Sequence, residues 1–431
     1  MAAGRGFRAR YACLVLREDF IALMTPEAQS LLRSDALTAD LTKANLVKLV
    51  TDLRSAGHPA GLVAAVLTQA KLRQRARAKF GEFAENMLFT EAGLEQSSRL
   101  AVAALHAGRF RSAGCRSVAD LGCGIGTESL ALASLSVDGG PIRVSAFELD
   151  EVTAAVATYN LAPFENAAVA QADVTELALE EFDGLFFDPA RRELKSTARG
   201  GQRGEQAVRK FDPAMFSPNF DWTVSVCRGR TAGIKLGPGH PHENIPVAEA
   251  GEHIEAQWAS VGGDLVELSL WFGAAARPGV ARSALLIDRE GKHHEVVSSQ
   301  LESEPADIAE LGEYLYEPDN AVIRSHLIGD LAAELGLTGI APAIAYLSGN
   351  QPIESPWLRG FRVLDNLAFD RKKLKAYLAA RDIGTLEIKK RGSDVVPEQL
   401  RKELALKGKG AATLIITRVG DAHRCLIAEA I

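Results

Sequence analysis

The 431-residue sequence is poor in aromatics (6%) and has only five cysteines, Cys13, Cys115, Cys123, Cys227 and Cys425. Those cysteines are scattered with no paired spacing, which argues against a disulfide framework and a zinc site and suits a reducing, cytoplasmic setting. No apolar run approaches the roughly 20 residues of a membrane span. The opening "MAAGRGFRARYACLVLREDF" is basic, but its apolar stretch is too short for a signal peptide. Excess positive charge is missing too: the net charge of −6 provides no global attraction to nucleic acid, so any basic footprint must be local, and DNA is not an expected partner. Internal repeats and low-complexity tracts are absent. What remains, 47% hydrophobic and 24% charged residues, is ordinary globular composition over a length sufficient for two or three domains.

Residues 1–112 read as helical. Leu46, Leu49, Val50 and Leu53 fall on one helical face, and Gly57 followed by Pro59 stops one helix and starts the next. In "KLRQRARAKF" the basic side chains Lys71, Arg73, Arg75, Arg77 and Lys79 occupy alternate positions, which splits them between two faces because two helical steps turn about 200°. A solvated helix is the plainer reading and a phosphate-contacting helix the sharper one. Over 113–295, short apolar strands alternate with helices: "SVADL", "IRVSAFEL", "AAVAQAD", "GLFFDP", "TAGIKL", "DLVELSLWF" and "SALLI". This alternation predicts an α/β, Rossmann-like sheet with helices on both faces. The last two strands are joined without a helix, which predicts that they form an antiparallel edge hairpin. "HEVVSSQLESEPADIAELG" reads as a linker. Residues 311–431 read as a small α+β domain with a helix from Asp319 to Gly336, a helix capped by Asp370 and a helix opened by Pro397.

In "SVADLGCGIGTESLALA", Asp120, Gly122, Gly124 and Gly126 end a strand and open a helix. Glycines there allow a tight turn and close approach of a ligand to the backbone. A dinucleotide fingerprint would read G-x-G-x-x-G and bring a pyrophosphate to the loop. The spacing here is G-x-G-x-G, and Asp120 would repel a pyrophosphate. S-adenosylmethionine offers an ammonium and a sulfonium instead, so a carboxylate beside the loop favours it. Glu148, ending the next strand in "FELD", is suited to the ribose hydroxyls, and Asp173, with Val174 beside it in "QADV", to the adenine. Each acid alone could be a helix cap or a solvated turn. Together, at successive strand ends, they predict a cofactor crevice.

These residues resemble the class I S-adenosylmethionine-dependent methyltransferases, with "VADLGCGIG", "FELD", "QADV" and "FFDPARR" as motifs I to IV. The whole chain is similar to bacterial methyltransferases that carry a helical N-terminal region and a C-terminal THUMP-like domain. The stretches that carry this similarity include "ENMLFTEAGLEQ", "GIKLGPG", "DLVELSLWFG" and "TLEIKKRG…ATLIITR". The resemblance implies S-adenosylmethionine as cofactor, and its THUMP-like tail implies an RNA substrate, rRNA or tRNA, by analogy.

Asp188, Pro189, Ala190 and Arg191 end the fourth strand, where amino-methylating relatives carry [D/N]-P-P-[aromatic]. In that tetrad an acid or amide oxygen and a backbone carbonyl grip an exocyclic amine while the aromatic stacks on the base. Asp188 and Pro189 are kept; Ala190 and Arg191 replace the second proline and the aromatic. A guanidinium can also stack on a base, and Arg191 with Arg192 can pair with a phosphate; a structural turn with surface arginines is the alternative. The basic, Gly-rich "ELKSTARGGQRGEQAVRKF" follows. Lys235, His240 and His242 lie after the next strand, with no third ligand evident for a metal. Phe89, Thr90 and Gln96 precede the core, either packing or closing over the cofactor. Seven basic residues between Lys389 and Lys409 form a local positive excess of the kind that phosphate binding uses. The expectation is a methyltransferase acting on RNA. The rivals are a methyltransferase acting on a protein or small molecule and a non-catalytic RNA-binding factor on the same fold.

Overall fold

A computed structural model of the chain describes residues 17–34, 37, 41–191 and 215–431. They fall into two compact units. One comprises Met1–Lys235, Ala248–Glu252 and Trp271–Ala276; the other comprises Leu236–Val247, His253–Leu270 and Arg277–Ile431.

The first unit opens with helices α1 (Pro26–Leu32), α2 (Lys43–Ser55) and α3 (Ala60–Phe80). Thr25 and Thr42 cap the first two by accepting backbone N–H bonds. Gly57, at φ 93°, and Pro59 separate α2 from α3. Next come α4 (Glu91–Gln96), capped by Thr90, and α5 (Leu100–Ser112). The segment between α3 and α4 is strapped by buried polar groups. Gln69 donates to Phe89 O (2.6 Å) and accepts from Phe89 N (3.0 Å), and Arg73 donates to Met87 O (2.9 Å). Asn160 accepts from Leu88 N and donates to Leu88 O and Ile125 O, joining the helical region to the glycine loop. Buried polar groups satisfied this way fix one arrangement.

Strands β1 (Ser117–Leu121), β2 (Arg143–Glu148), β3 (Ala167–Gln171), β4 (Gly184–Phe187) and β5 (Thr231–Leu236) lie in the order β5-β4-β1-β2-β3. Their pairings are all parallel, with Leu121 opposite Phe147 and Phe187, Glu148 opposite Gln171, and Phe187 opposite Ile234. Helices α6 (Thr127–Ala133) and α7 (Glu151–Leu161) follow β1 and β2, and α8 (Phe220–Cys227) precedes β5. The fully buried β1, β4 and α6 carry the core, with Phe110, Phe186 and Trp271 meeting edge to face or tilted.

In the second unit β6 (Ile254–Val261), β7 (Asp264–Phe272), β8 (Arg282–Ile287) and β9 (His293–Ser298) run in the order β9-β8-β6-β7. An antiparallel hairpin does close the edge, but its strands are β8 and β9, not β7 and β8 as the sequence suggests. β6 lies between β7 and β8 and pairs with β8 in parallel. The first residues of the expected linker, His294 to Ser298, are therefore part of a strand.

The tail contains β10 (Tyr314–Pro318), α9 (Asn320–Ser325), α10 (Ile328–Leu335), β11 (Leu347–Gly349), β12 (Leu358–Ala368), α11 (Arg371–Ala380), β13 (Ile383–Lys390), α12 (Pro397–Leu404), β14 (Gly410–Val419) and β15 (Ala422–Ala430). The sheet order is β11-β10-β12-β15-β14-β13, with Thr338–Gly339 outside β11. Alternate β14 residues face opposite ways: Ile416 packs with Leu374, Leu378, Leu400 and Leu404 of α11 and α12, whereas Ile415 packs with Leu315, Tyr346 and Phe361. The helix expected from Asp319 to Gly336 is broken at His326, which takes a left-handed conformation (φ 62°). Among the described residues no helix is long and apolar enough to cross a membrane.

Candidate active site

Because the five strands of the first unit are parallel, the residues at their carboxyl ends gather along one edge, where open α/β sheets bind ligands. Lys235, Asp188, Asp120 with the glycine loop, Glu148 and Asp173 all belong to that edge.

The glycine loop takes a conformation closed to other residues: Gly122, Gly124 and Gly126 have φ of 92°, 54° and 87°. A Cβ on Gly122 would stand 3.1 Å from the carbonyl oxygen of Asp188, so the loop and the β4 end touch through backbone. A Cβ on Gly124 would meet nothing within 4 Å. That open space is the room a ligand needs beside the backbone. Gly122 N and Cys123 N donate to Phe147 O, and Gly124 N donates to Glu148 Oε2 at 3.0 Å.

Asp120 is wholly buried beneath this loop, not lining its surface (0% exposed). Ser129 donates to its Oδ2 at 2.5 Å, and its Oδ1 has no hydrogen-bond partner among the described residues. Burial pushes the carboxyl up to about 7; the Ser129 bond opposes this, and Glu128 and Asp188 add to it. Glu128 is itself buried, paired with His106 Nδ1 at 3.1 Å, with Oε1 left without a hydrogen-bond partner among the described residues. Burial also raises Glu148, while N–H bonds from Asp150, Gly124 and Leu149 hold it back. Asp173 is exposed and accepts from Thr175 N and Oγ1 as a local cap, with Val174 buried beside it. The edge suits S-adenosylmethionine: a buried carboxyl with no ion-pair partner among the described residues, an open glycine and a half-buried glutamate accommodate a cationic nucleoside better than a pyrophosphate.

Asp188 is half-buried, and its Oδ2 pairs with Lys235 Nζ at 2.6 Å. The two residues follow Phe187 and Ile234, which are opposite each other, so the β4–β5 register itself sets the pair. Lys235 also donates to Gln96 O at 3.2 Å. Lys79 donates to the carbonyls of Leu94 (2.7 Å), Glu95 (3.0 Å) and Ser97 (2.7 Å). The end of α4 is thus held by two lysines, one from the helical region and one that also grips Asp188. Neither role was evident in the sequence; the available signal was an acid one residue past an apolar strand and a lysine near the end of the next.

Pro189 is buried. Arg191 pairs through its backbone with Phe216, and the stretch from Arg192 through the Gly-rich basic segment lies outside the described residues. Phe89 packs against Phe80 (ring centroids 5.4 Å apart), Thr90 caps α4, and Gln96 contributes its carbonyl. Four of the five basic residues of α3 serve local structure: Arg73 is buried, Arg75 pairs with Glu91, Arg77 with Glu85, and Lys79 holds α4; Lys71 is exposed. In the tail, Lys389 and Arg391 share Glu317, which removes two cations from the expected phosphate-binding excess. His240 and His242 belong to the second unit, where His242 stacks on Trp258 and His326.

Comparison with known proteins gives three findings. Residues 358–430 match a family described as THUMP domain-like, and residues 17–76 match a domain of unknown function. Two proteins described as uncharacterized S-adenosylmethionine-dependent methyltransferases, from two strains of Mycobacterium tuberculosis, are each 35% identical over 358 residues, covering 81% of this chain and 91% of theirs. The crystal structure of a candidate methyltransferase from Porphyromonas gingivalis W83 superposes with a TM-score of 0.66 at 19% identity, over 90% of this chain and 99% of that one.

Proposed function

Because the chain belongs to the S-adenosylmethionine-dependent methyltransferases, we propose that it methylates an amine nitrogen of an RNA base, gripped at Asp188. The cofactor supplies a methyl group on a sulfonium; every other contribution comes from the chain. Gly122, Gly124 and Gly126 shape the cofactor cradle, Glu148 takes the ribose hydroxyls, Asp173 and Val174 flank the adenine, and Asp120 provides the negative field below. The observation that carries the reading is Asp188 itself. Its backbone abuts the cofactor loop at Gly122, while its side chain is anchored through Oδ2 by Lys235.

An anchored carboxylate can accept an N–H from the substrate amine and so orient the nitrogen lone pair toward the methyl carbon. With the cofactor held there, the methyl carbon would pass from sulfur, which would keep the S–C electron pair, to the amine nitrogen, and the proton the amine sheds would go to solvent. No general base is needed for an amine nucleophile. Pro189 stiffens the turn that presents Asp188, and Arg191 is assigned to the substrate side. The THUMP-like tail supports RNA as the substrate class. Residues 1–112, 113–295 and 311–431 are proposed as the helical, cofactor-binding and THUMP-like domains, and the setting as cytoplasmic.

The test is transfer of radiolabelled methyl from S-adenosylmethionine into fractionated lysate of cells lacking the protein. Label that disappears with ribonuclease is the expected result. Label removed by protease instead would assign a protein substrate, and the absence of any acceptor despite cofactor binding would assign a non-catalytic role.

A further inference from the structure

The loop after β5, "GPGHPHENIP", carries histidines that the methyl-transfer site does not use. In the second unit this loop is held by Arg324, which donates through Nε to Pro238 O (3.2 Å) and through Nη2 to His240 O (2.7 Å). Three rings then stack: His242 lies 5.1 Å from Trp258 at 16° and 3.9 Å from His326 at 10°. Trp258 and Arg282 are buried, with the guanidinium 5.7 Å from the indole centroid. His326, by contrast, is exposed, lifted out of the helix by its left-handed backbone.

The hydrogen-bond inventory of this stack does not close. Arg282 Nη1 donates to His242 Nδ1 and to Ser325 O, both at 3.2 Å, which places the imidazole proton on Nε2. Three buried N–H donors then have no acceptor among the described residues: Arg282 Nε, His242 Nε2 and Trp258 Nε1. Neither Arg282 nor Arg324 has an ion-pair partner among the described residues, and the carboxylate that influences Arg282, Glu302, acts at a distance. Arg282 is 6% exposed and has an orphan donor and no counterion among the described residues, an unfavourable state that an anion supplying the missing acceptor would relieve. Desolvation first, then His326, Arg282 and Arg324, lowers His242 to about 3, so it is neutral near neutral pH; desolvation, then Arg282 and Arg324, lowers His326 as well.

We propose that Arg282, Arg324, His242 and His326 form a second ligand site, which takes one nucleotide of the RNA substrate. Its phosphate accepts from Arg282 and the His242 Nε2–H, and its base stacks on His326 as the next ring of the column. The choice of RNA rests on the functional reading above; the nucleotide chemistry rests on the site alone. Stacking on aromatic side chains together with a charge-assisted phosphate contact is how proteins hold unpaired nucleotides.

The test measures binding of a short fluorescein-labelled single-stranded RNA by anisotropy, and of adenosine monophosphate and inorganic phosphate by calorimetry, to the full chain and to R282Q, H326A and H326F. H326A, which alters an exposed side chain, should retain the wild-type unfolding midpoint yet bind RNA and adenosine monophosphate about tenfold more weakly, and H326F should restore them. R282Q should weaken both by about tenfold and reduce the salt dependence of RNA binding by about one charge. Wild-type RNA affinity in both R282Q and H326A would overturn the site while leaving the RNA reading intact. Binding of adenosine monophosphate without RNA would uphold the site and overturn the RNA reading. Inorganic phosphate bound as tightly as adenosine monophosphate would overturn the stacked base, and no binding of any probe would overturn the proposal.

Discussion

At the scale of single residues, the chemistry rests on how two aspartates differ in their surroundings. Asp188 is partly accessible and anchored by Lys235, and in the proposed function it is the group that contacts substrate. Replacing it with alanine should abolish transfer while cofactor affinity stays within about tenfold of wild type; equal loss of both in calorimetry and turnover would contradict its role. Lys235→Met frees the carboxylate to rotate and should lower kcat by roughly 10²-fold, the scale of a small misplacement at a reacting centre, with Lys235→Arg recovering part. Asp120 acts differently, as buried charge without an ion-pair partner. With its pKa pushed up to about 7 by burial, it is neutral below that pH and ionised above it. A cationic cofactor favours the ionised form, so affinity for S-adenosylmethionine should fall by about tenfold from about pH 8 to about pH 6. Asp120→Asn should flatten that profile, and an unchanged slope in the variant would assign the proton to another group.

At the scale of elements, α4 is the link between the helical region and the candidate catalytic strand end. Lys79 satisfies three carbonyls at its end, and Lys235 reaches the one between them. Lys79→Met should lower stability by about 1–3 kcal/mol through these lost acceptor contacts. It should also reduce kcat more than cofactor affinity, because the loosened end of α4 no longer positions Lys235; denaturant unfolding and steady-state kinetics separate the two effects. The elements that carry the site were legible in the sequence because each pairs a short apolar run with a turn signal, as in "SVADLGCG" and "GLFFDP". β6 was not, for a physical reason. Its "IEAQWASV" buries Glu255, Gln257 and Ser260, so it reads as polar. Glu255 is satisfied by Arg277 and Ser283, far along the chain, a compensation no local pattern reveals. Without β6, β7 and β8 look adjacent, which is why the edge hairpin was expected between the wrong strands.

At the scale of the whole molecule, a chain of net negative charge can engage RNA only through local features. Sequence periodicity suggested two such features, the alternating cations of α3 and the basic tail. Folding commits many of those cations to carbonyls and to Glu317. The unpaired guanidinium of Arg282 was invisible in sequence, because its lack of a partner is a property of three-dimensional packing. The cofactor edge was legible because parallel strands return every carboxyl end to the same side, so spacing along the chain translates directly into proximity. The most direct measurement is the structure of the protein crystallised with S-adenosylhomocysteine. The account predicts the nucleoside beside Gly122–Gly126, its ribose hydroxyls on Glu148 and its sulfur facing Asp188. A nucleoside bound elsewhere, or a cleft left empty at saturating ligand, would contradict it.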